Sequence, residues 1–282
     1  MYVLCSPCVL NPGLRADGIT RPSDLELFRR SIERCERFSI EIVPLPCPET
    51  LYLGPGRKPG TFLERLNTPA FAALMDKLEQ DVLRIIHERG PPLCILGVNS
   101  SPTCGVTSTY FGSTGKESSK RAGRGVFLSR FSDIPAMDVS IFARYRVYLA
   151  APLFSEAERS YNATLADLLQ KNLFGVYLPQ EAGDDTNTRG KDAQKQIFSD
   201  NKRALEESDF VVAVIDGADA DSGTAWEMGY AFAFKKPVIA IRTDFRRVGQ
   251  YEHVNLMLEE SSTVVTSTQD LLDALHSPLS AR

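Results

Sequence analysis

The chain has 282 residues, 43% hydrophobic and 24% charged, with a formal net charge of -4 and a pI of about 5.6. An acidic balance of this kind attracts neither nucleic acid nor anionic membrane faces, which excludes a general binder of either. No apolar run approaches the roughly 20 residues of a bilayer span, and the first residues lack the basic region and cleavage signature of a secretory leader, so a cytoplasmic location is expected.

In chain order, the first half reads as strands over residues 2–5, 39–45 and 93–98 and helices over 24–38 and 69–89. Long Pro- and Gly-rich loops join them, notably 46–61, and the basic stretch 116–124 reads as a solvated loop. Residues 131–143, broken by Asp133-Ile-Pro135, read as a linker. This puts a boundary near residue 140 and two domains at 1–135 and 144–282. The second half alternates more cleanly: strand 146–151, helix 155–171 with Ser155 as N-cap, strand 174–178, polar loop 180–191, helix 192–207, strand 210–215. Helix 222–234, strand 237–241, a weaker strand 263–266 and helix 268–275 complete it. Repeated strand–helix units predict an α/β fold, with a parallel sheet covered on both faces. The pattern resembles a flavodoxin-like, doubly wound sheet of about five strands, preceded by an N-terminal α/β domain.

The most informative stretch is 211–230, an apolar strand that runs into the turn DGADADSG and then a helix bearing Glu227. Ligands of open α/β sheets bind beyond the carboxyl ends of strands, where Asp216, Asp221 and Glu227 gather. Glu227 lies in the early turns of its helix, where the helix dipole favours the ionised form. His87, His253 and His276 form no constellation, which argues against histidine chemistry. The segment RTDFR at 242–246 reads as a solvated loop, with closure of the pocket as the alternative.

Four segments in order, VYLAAPLF at 147–154, YLPQE at 177–181, DSGTAWEMGYA at 221–231 and VNLM at 254–257, resemble the nucleoside 2-deoxyribosyltransferases. The resemblance implies transfer of 2-deoxyribose between nucleobases by double displacement, with no cofactor and with Glu227 as the nucleophile. Tyr148 matches a tyrosine that orients the nucleophile, and Asp221 a carboxylate that holds a sugar hydroxyl; an N-cap role for Asp221 is compatible. Gln180 matches a glutamine near the base. Asn201 stands where the family often has aspartate, and an amide cannot donate a proton as an acid can. Asn255 matches an asparagine that reaches a neighbouring subunit's sugar, which implies a homo-oligomer with shared active sites. The expected partners are nucleosides and free nucleobases. The rival readings are a hydrolase acting on deoxynucleosides or their monophosphates, and a non-catalytic nucleotide-sensing module.

All six cysteines, Cys5, Cys8, Cys35, Cys47, Cys94 and Cys104, lie in the first half, in a chain too long for a disulfide scaffold. Reduced thiols, some of them ligands, are expected, with Cys35 and Cys94 in the core. The segments SPC at 6–8, GLRADG at 13–18, VPLPCPE at 43–49 and SSPTCG at 100–105 resemble the 2-thiouracil desulfurases. That family holds a [4Fe–4S] cluster on three cysteines, and the matching positions are Cys8, Cys47 and Cys104. A thiol lining without a cluster, and a redox pair or zinc half-site at Cys5-Ser-Pro-Cys8, are the alternatives. Glu49 and Ser100 are candidate acid–base or substrate contacts.

Overall fold

The computed structural model describes residues 1–112, 120–182, 190–246, 249 and 254–276. His253, most of the polar loop over 180–191 and the first part of the basic stretch at 116–124 lie outside the described residues. The chain divides into two compact units, Met1–Ala143 and Arg144–Arg282.

The first unit runs β1 (Tyr2–Cys5), α1 (Pro22–Arg37), β2 (Glu41–Pro44), α2 (Pro48–Leu53), α3 (Phe62–Arg65), α4 (Pro69–Arg89), β3 (Ile95–Gly97), a hairpin of β4 (Ser108–Tyr110) and β5 (Lys120–Ala122), β6 (Ala136–Asp138) and α5 (Val139–Phe142). β2-β1-β3-β6 form a parallel sheet. Leu4 and Ile95 from its strands pack with Phe71 and Val82 of α4 and with Phe127 and Leu128. Residues 131–143 are therefore not a linker: they supply an edge strand, paired Ile95↔Ala136 to Gly97↔Asp138, and a short helix. A strand of three residues is too short to show the alternation by which strands are recognised. The loop over 46–61 likewise contains α2, which Pro48 opens at its first turn.

The second unit runs β7 (Arg146–Ala150), α6 (Glu156–Lys171), β8 (Gly175–Tyr177), α7 (Pro179–Ala182), α8 (Lys191–Glu207), β9 (Phe210–Val214), α9 (Ser222–Ala233), β10 (Val238–Ile241), α10 (Leu256–Glu260), β11 (Thr263–Val265) and α11 (Thr268–His276). Ser155 caps α6 in a reciprocal capping box with Glu158. All five strands are parallel in the order β11-β10-β9-β7-β8. Counted within this unit that order is 2-1-3-4-5, the flavodoxin-like arrangement, whose topological switch point lies between β7 and β9. β9 is buried at every residue, as expected of a central parallel strand. Small side chains at Ala150, Ala213 and Ala240 pack with Met228 and Ala231 of α9 in one cluster, which brings that helix close to the switch point. Among the described residues no helix is long and apolar enough to cross a membrane.

Candidate active site and cysteine cavity

The sheet brings Tyr148 and Glu227 together across 79 residues of sequence. Tyr148 sits in the middle of β7, fully buried, and its hydroxyl donates a short hydrogen bond to Glu227 Oε1 on α9. Burial pushes the Glu227 carboxyl up to about 7; the Tyr148 hydrogen bond pulls it down and the charge of Asp221 adds to the rise. Desolvation thus outweighs the dipole effect expected of an early helical position. The Tyr148 hydroxyl is itself held neutral, by burial first and then by the carboxylate beside it. The arrangement is a desolvated carboxylate with one oxygen fixed by a phenol on a strand that borders the switch point of the sheet.

Register builds the next layer. Tyr148 and Tyr177 are direct partners on β7 and β8, and their rings stack with centroids 5.5 Å apart and planes 15° off parallel. The Tyr177 hydroxyl then donates to Asn201 Oδ1 on α8 at 2.9 Å. Gln180 lies in α7 rather than in a loop; its Oε1 accepts from Asn162 Nδ2 at 3.1 Å and its Nε2 donates to the Arg159 carbonyl at 3.0 Å. Asn162 Nδ2 also donates to the Pro152 carbonyl at 2.8 Å, so this amide pair ties the turn after β7 to α7. Asp221 is the N-cap of α9, accepting from the Thr224 amide at 3.0 Å. Asn255 caps α10 through the Met257 amide at 3.0 Å.

Asp216 does not stand free beside Glu227. Its carboxylate accepts from the Thr243 amide and hydroxyl, both at 2.6 Å, and from the Asp244 amide at 2.8 Å. Arg242, 3% exposed, donates to the carbonyls of Ile215 at 2.6 Å, Gly217 at 3.1 Å and Arg246 at 3.0 Å. Residues 242–246 are thus not a plain solvated loop: they are tied from both sides to the turn after β9, the turn that leads into α9.

In the first unit Cys8, Cys47 and Cys104 line one cavity of about 650 Å³, within the range of ligand sites. The Thr50 hydroxyl lies 3.2 Å from Cys47 Sγ and the Thr103 hydroxyl 3.5 Å from Cys104 Sγ. Burial pushes the Cys8 thiol up to about 12 and the Cys104 thiol up as well; Cys47 adds to both rises and Cys8 to that of Cys104. Glu49, predicted as a contact, lies in the same wall: it accepts from Ser101 Oγ at 3.1 Å and Thr103 Oγ1 at 2.8 Å and pairs with Arg57 at 3.2 Å. Ser100 lines the cavity with a left-handed backbone, φ 69°. Cys5 lies fully buried in β1, with its thiol directed to the Ser6 carbonyl and pushed up by burial, which fits neither an exposed redox pair nor a zinc half-site. Cys35 and Cys94 are buried, as expected of core residues.

Among the described residues no three His, Cys, Asp or Glu side chains are grouped to hold a single metal ion. The donor set instead suits a polynuclear group whose ligands stand apart: three soft thiols around one cavity, and a buried Ser6 hydroxyl without a partner among the described residues.

Sequence reasoning missed Tyr177, Asn162 and Asn99, and read Arg242 only as part of a solvated loop. Tyr177 was open to discovery, because aromatic residues on neighbouring strands signal a cross-strand stack once register is known. Asn99 Oδ1 accepts from the amides of Val106, Thr107 and Ser108 at 3.0, 2.9 and 3.3 Å and so shapes the loop that carries Cys104. Asn99→Leu removes that acceptor and is expected to lower stability by about 1–2 kcal/mol, read as a fall in the thermal midpoint, whereas Asn99→Asp retains most of it. Equal midpoints for wild type and the leucine variant would show that the loop holds itself.

Residues 147–267 match the family model described as Nucleoside 2-deoxyribosyltransferase. An uncharacterized protein of Ureaplasma parvum is 26% identical over 131 residues, 42% of this chain and 80% of that protein. Among solved structures, a 2-deoxyribosyltransferase from Bacillus psychrosaccharolyticus is 22% identical, with 45% of this chain and 90% of that one covered and a TM-score of 0.41. A [4Fe-4S]-dependent thiouracil desulfidase is 19% identical, with 49% and 89% covered and a TM-score of 0.33. Tyr148, Asp221 and Glu227 all fall inside the segment, residues 147–267, that matches the nucleoside 2-deoxyribosyltransferase family.

Proposed function

We propose that the second unit moves 2-deoxyribose between nucleobases through a covalent bond from Glu227 to the anomeric carbon of the sugar. The observation that carries this reading is the buried hydrogen bond from Tyr148 to Glu227 at the switch point of the sheet. The free Glu227 oxygen attacks the anomeric carbon, the glycosidic C–N bond breaks, and its electron pair leaves with the base, which takes up a proton. An incoming base then displaces the carboxylate from the same carbon and gives up its ring N–H proton, which balances the one taken by the leaving base, so configuration is retained, as in double-displacement glycoside chemistry. Asp221 holds a sugar hydroxyl while capping α9, and Gln180 and Asn201 border the base. Asn201 offers hydrogen bonds without an acidic proton. Asp219 and Asp221 beside the helix start disfavour a phosphate dianion, which supports free nucleosides as substrates. Asn255 serves the sugar site of a neighbouring copy, which makes the enzyme an oligomer with shared sites.

Mixing a deoxynucleoside with a different free base tests this directly. A new nucleoside on chromatography supports transfer. Free sugar alone points to water as the acceptor, and binding without turnover points to a sensor.

The nucleophile acts as the carboxylate, so kcat/KM is expected to rise with pH through a midpoint near 7, where burial has placed Glu227. Tyr148→Phe removes the hydrogen bond that opposes burial. A hydrogen bond to a charged group contributes about 1.5–3 kcal/mol, so the midpoint is expected to climb by about one pH unit or more. A phenylalanine variant with the wild-type midpoint would remove Tyr148 from the mechanism.

For the first unit we propose a [4Fe–4S] cluster on Cys8, Cys47 and Cys104 and removal of sulfur from a thiolated base. With three protein ligands, such a cluster supplies one open iron for the substrate's sulfur. This chain's own part is the wall around it: Arg57 and the Ser101 and Thr103 hydroxyls hold Glu49 in place beside the thiols. Release of sulfide from 2-thiouracil by anaerobically purified protein supports the reading, and its absence from iron-loaded protein counts against it.

A further inference from the structure

Ser6 follows β1 directly, is fully buried, and stands at the N-cap of the turn Pro7–Val9 without capping it. Its backbone is fully used: the amide donates to the Leu96 carbonyl at 2.9 Å, and its carbonyl accepts from the Val9 amide at 3.0 Å. Its hydroxyl has no hydrogen-bond partner among the described residues. A hydroxyl left unsatisfied in the interior costs free energy that alanine in the same space would not. Ser6 forms part of the wall of the cavity that the three cysteines share. Threonine hydroxyls lie within reach of the Cys47 and Cys104 sulfurs, at 3.2 and 3.5 Å. Cys8 receives none among the described residues, and Ser6 lies two positions before it.

We propose that the Ser6 hydroxyl donates a hydrogen bond to a sulfur of the iron–sulfur group at Cys8, Cys47 and Cys104 and raises its reduction potential. This rests on the cluster reading given above. Reduction places an extra electron on the iron–sulfur group, so a donor to sulfur stabilises the reduced form more than the oxidised one. A sulfur acceptor at this place would satisfy the hydroxyl, which would account for a buried serine where alanine would be cheaper. Ser6 is a positioning and tuning residue and binds no iron itself.

The experiment uses the full chain, purified anaerobically and reconstituted with iron and sulfide, with Ser6→Ala and Ser6→Thr beside wild type. Expected are equal iron and sulfide contents in all three, a midpoint potential more negative in the alanine variant, and a near-wild-type potential in the threonine variant, which keeps the hydroxyl. The metal-free alanine variant should melt at or above the wild-type temperature, since it has lost only an unsatisfied group. A wild-type potential in the alanine variant overturns the proposal, and so does a lower melting temperature of its metal-free form, which would reveal a structural partner. Wild-type protein that takes up no iron overturns the cluster reading and the Ser6 assignment with it. The iron assay reads the first and the potential reads the second, so the two failures are distinct.

Discussion

Glu227→Ala is expected to end deoxyribosyl transfer, with turnover falling by about 10³-fold or more, because the proposed covalent route runs through this one carboxylate. A slow fluorinated nucleoside analogue should label the wild-type chain at Glu227, read by mass spectrometry of peptides, and leave the alanine variant unlabelled. Label on another side chain, or unimpaired turnover in the variant, ends the proposal. Glu227→Gln should lose activity and gain stability in one pH range. The folded-state titration point is raised, to about 7, so the neutral carboxyl suits the fold fully below the unfolded value near 4.5. As pH rises through 7 the ionised form costs the fold on the order of 3 kcal/mol. Glutamine carries no charge and escapes that cost. At pH 8 the glutamine variant should therefore melt higher than wild type, and the gap should close below pH 5. A site that destabilises its own fold at working pH is the trade expected of a desolvated nucleophile.

How far the site could be read from sequence depended on whether each partner was local. The strand over 210–214, its acidic turn and the cap at Asp221 are local features, an apolar run and a side chain three residues before the amide it binds, and the structure reproduces them. The Tyr148–Glu227 pairing was legible only through the order of motifs, since no local pattern links residues 79 positions apart. Tyr177 escaped because stacking on Tyr148 depends on the β7–β8 register. Arg242 was misjudged for the same reason: a charged residue at a strand end reads as solvated unless the carbonyls of another turn are known to converge on it. The expected charge state of Glu227 failed for a different cause. Helix position is visible in sequence, but the depth of burial beside Tyr148 is not, and desolvation is the larger effect.

Replacing Cys8, Cys47 or Cys104 singly by alanine is expected to strip the chain of nearly all its iron, while Cys35→Ala and Cys94→Ala keep it. Iron and acid-labile sulfide assays on anaerobically purified protein decide the matter. The contrast is informative because all five thiols are buried or half-buried, so exposure alone does not sort them. What sorts them is the wall they occupy: the first three share one cavity, and Cys35 and Cys94 do not line it. A cluster with three protein ligands has none to spare, and two thiols around a cubane leave a second iron open to solvent and to loss. Equal iron in all five variants would mean adventitious metal, and loss of iron in the Cys94 variant alone would place the ligands elsewhere. Deoxyribosyl transfer should persist in every one of these variants, because the double displacement proposed for Tyr148, Asp221 and Glu227 uses no metal. Transfer that disappears together with the iron would mean that the glycosyl chemistry assigned to the second unit had been assigned too narrowly.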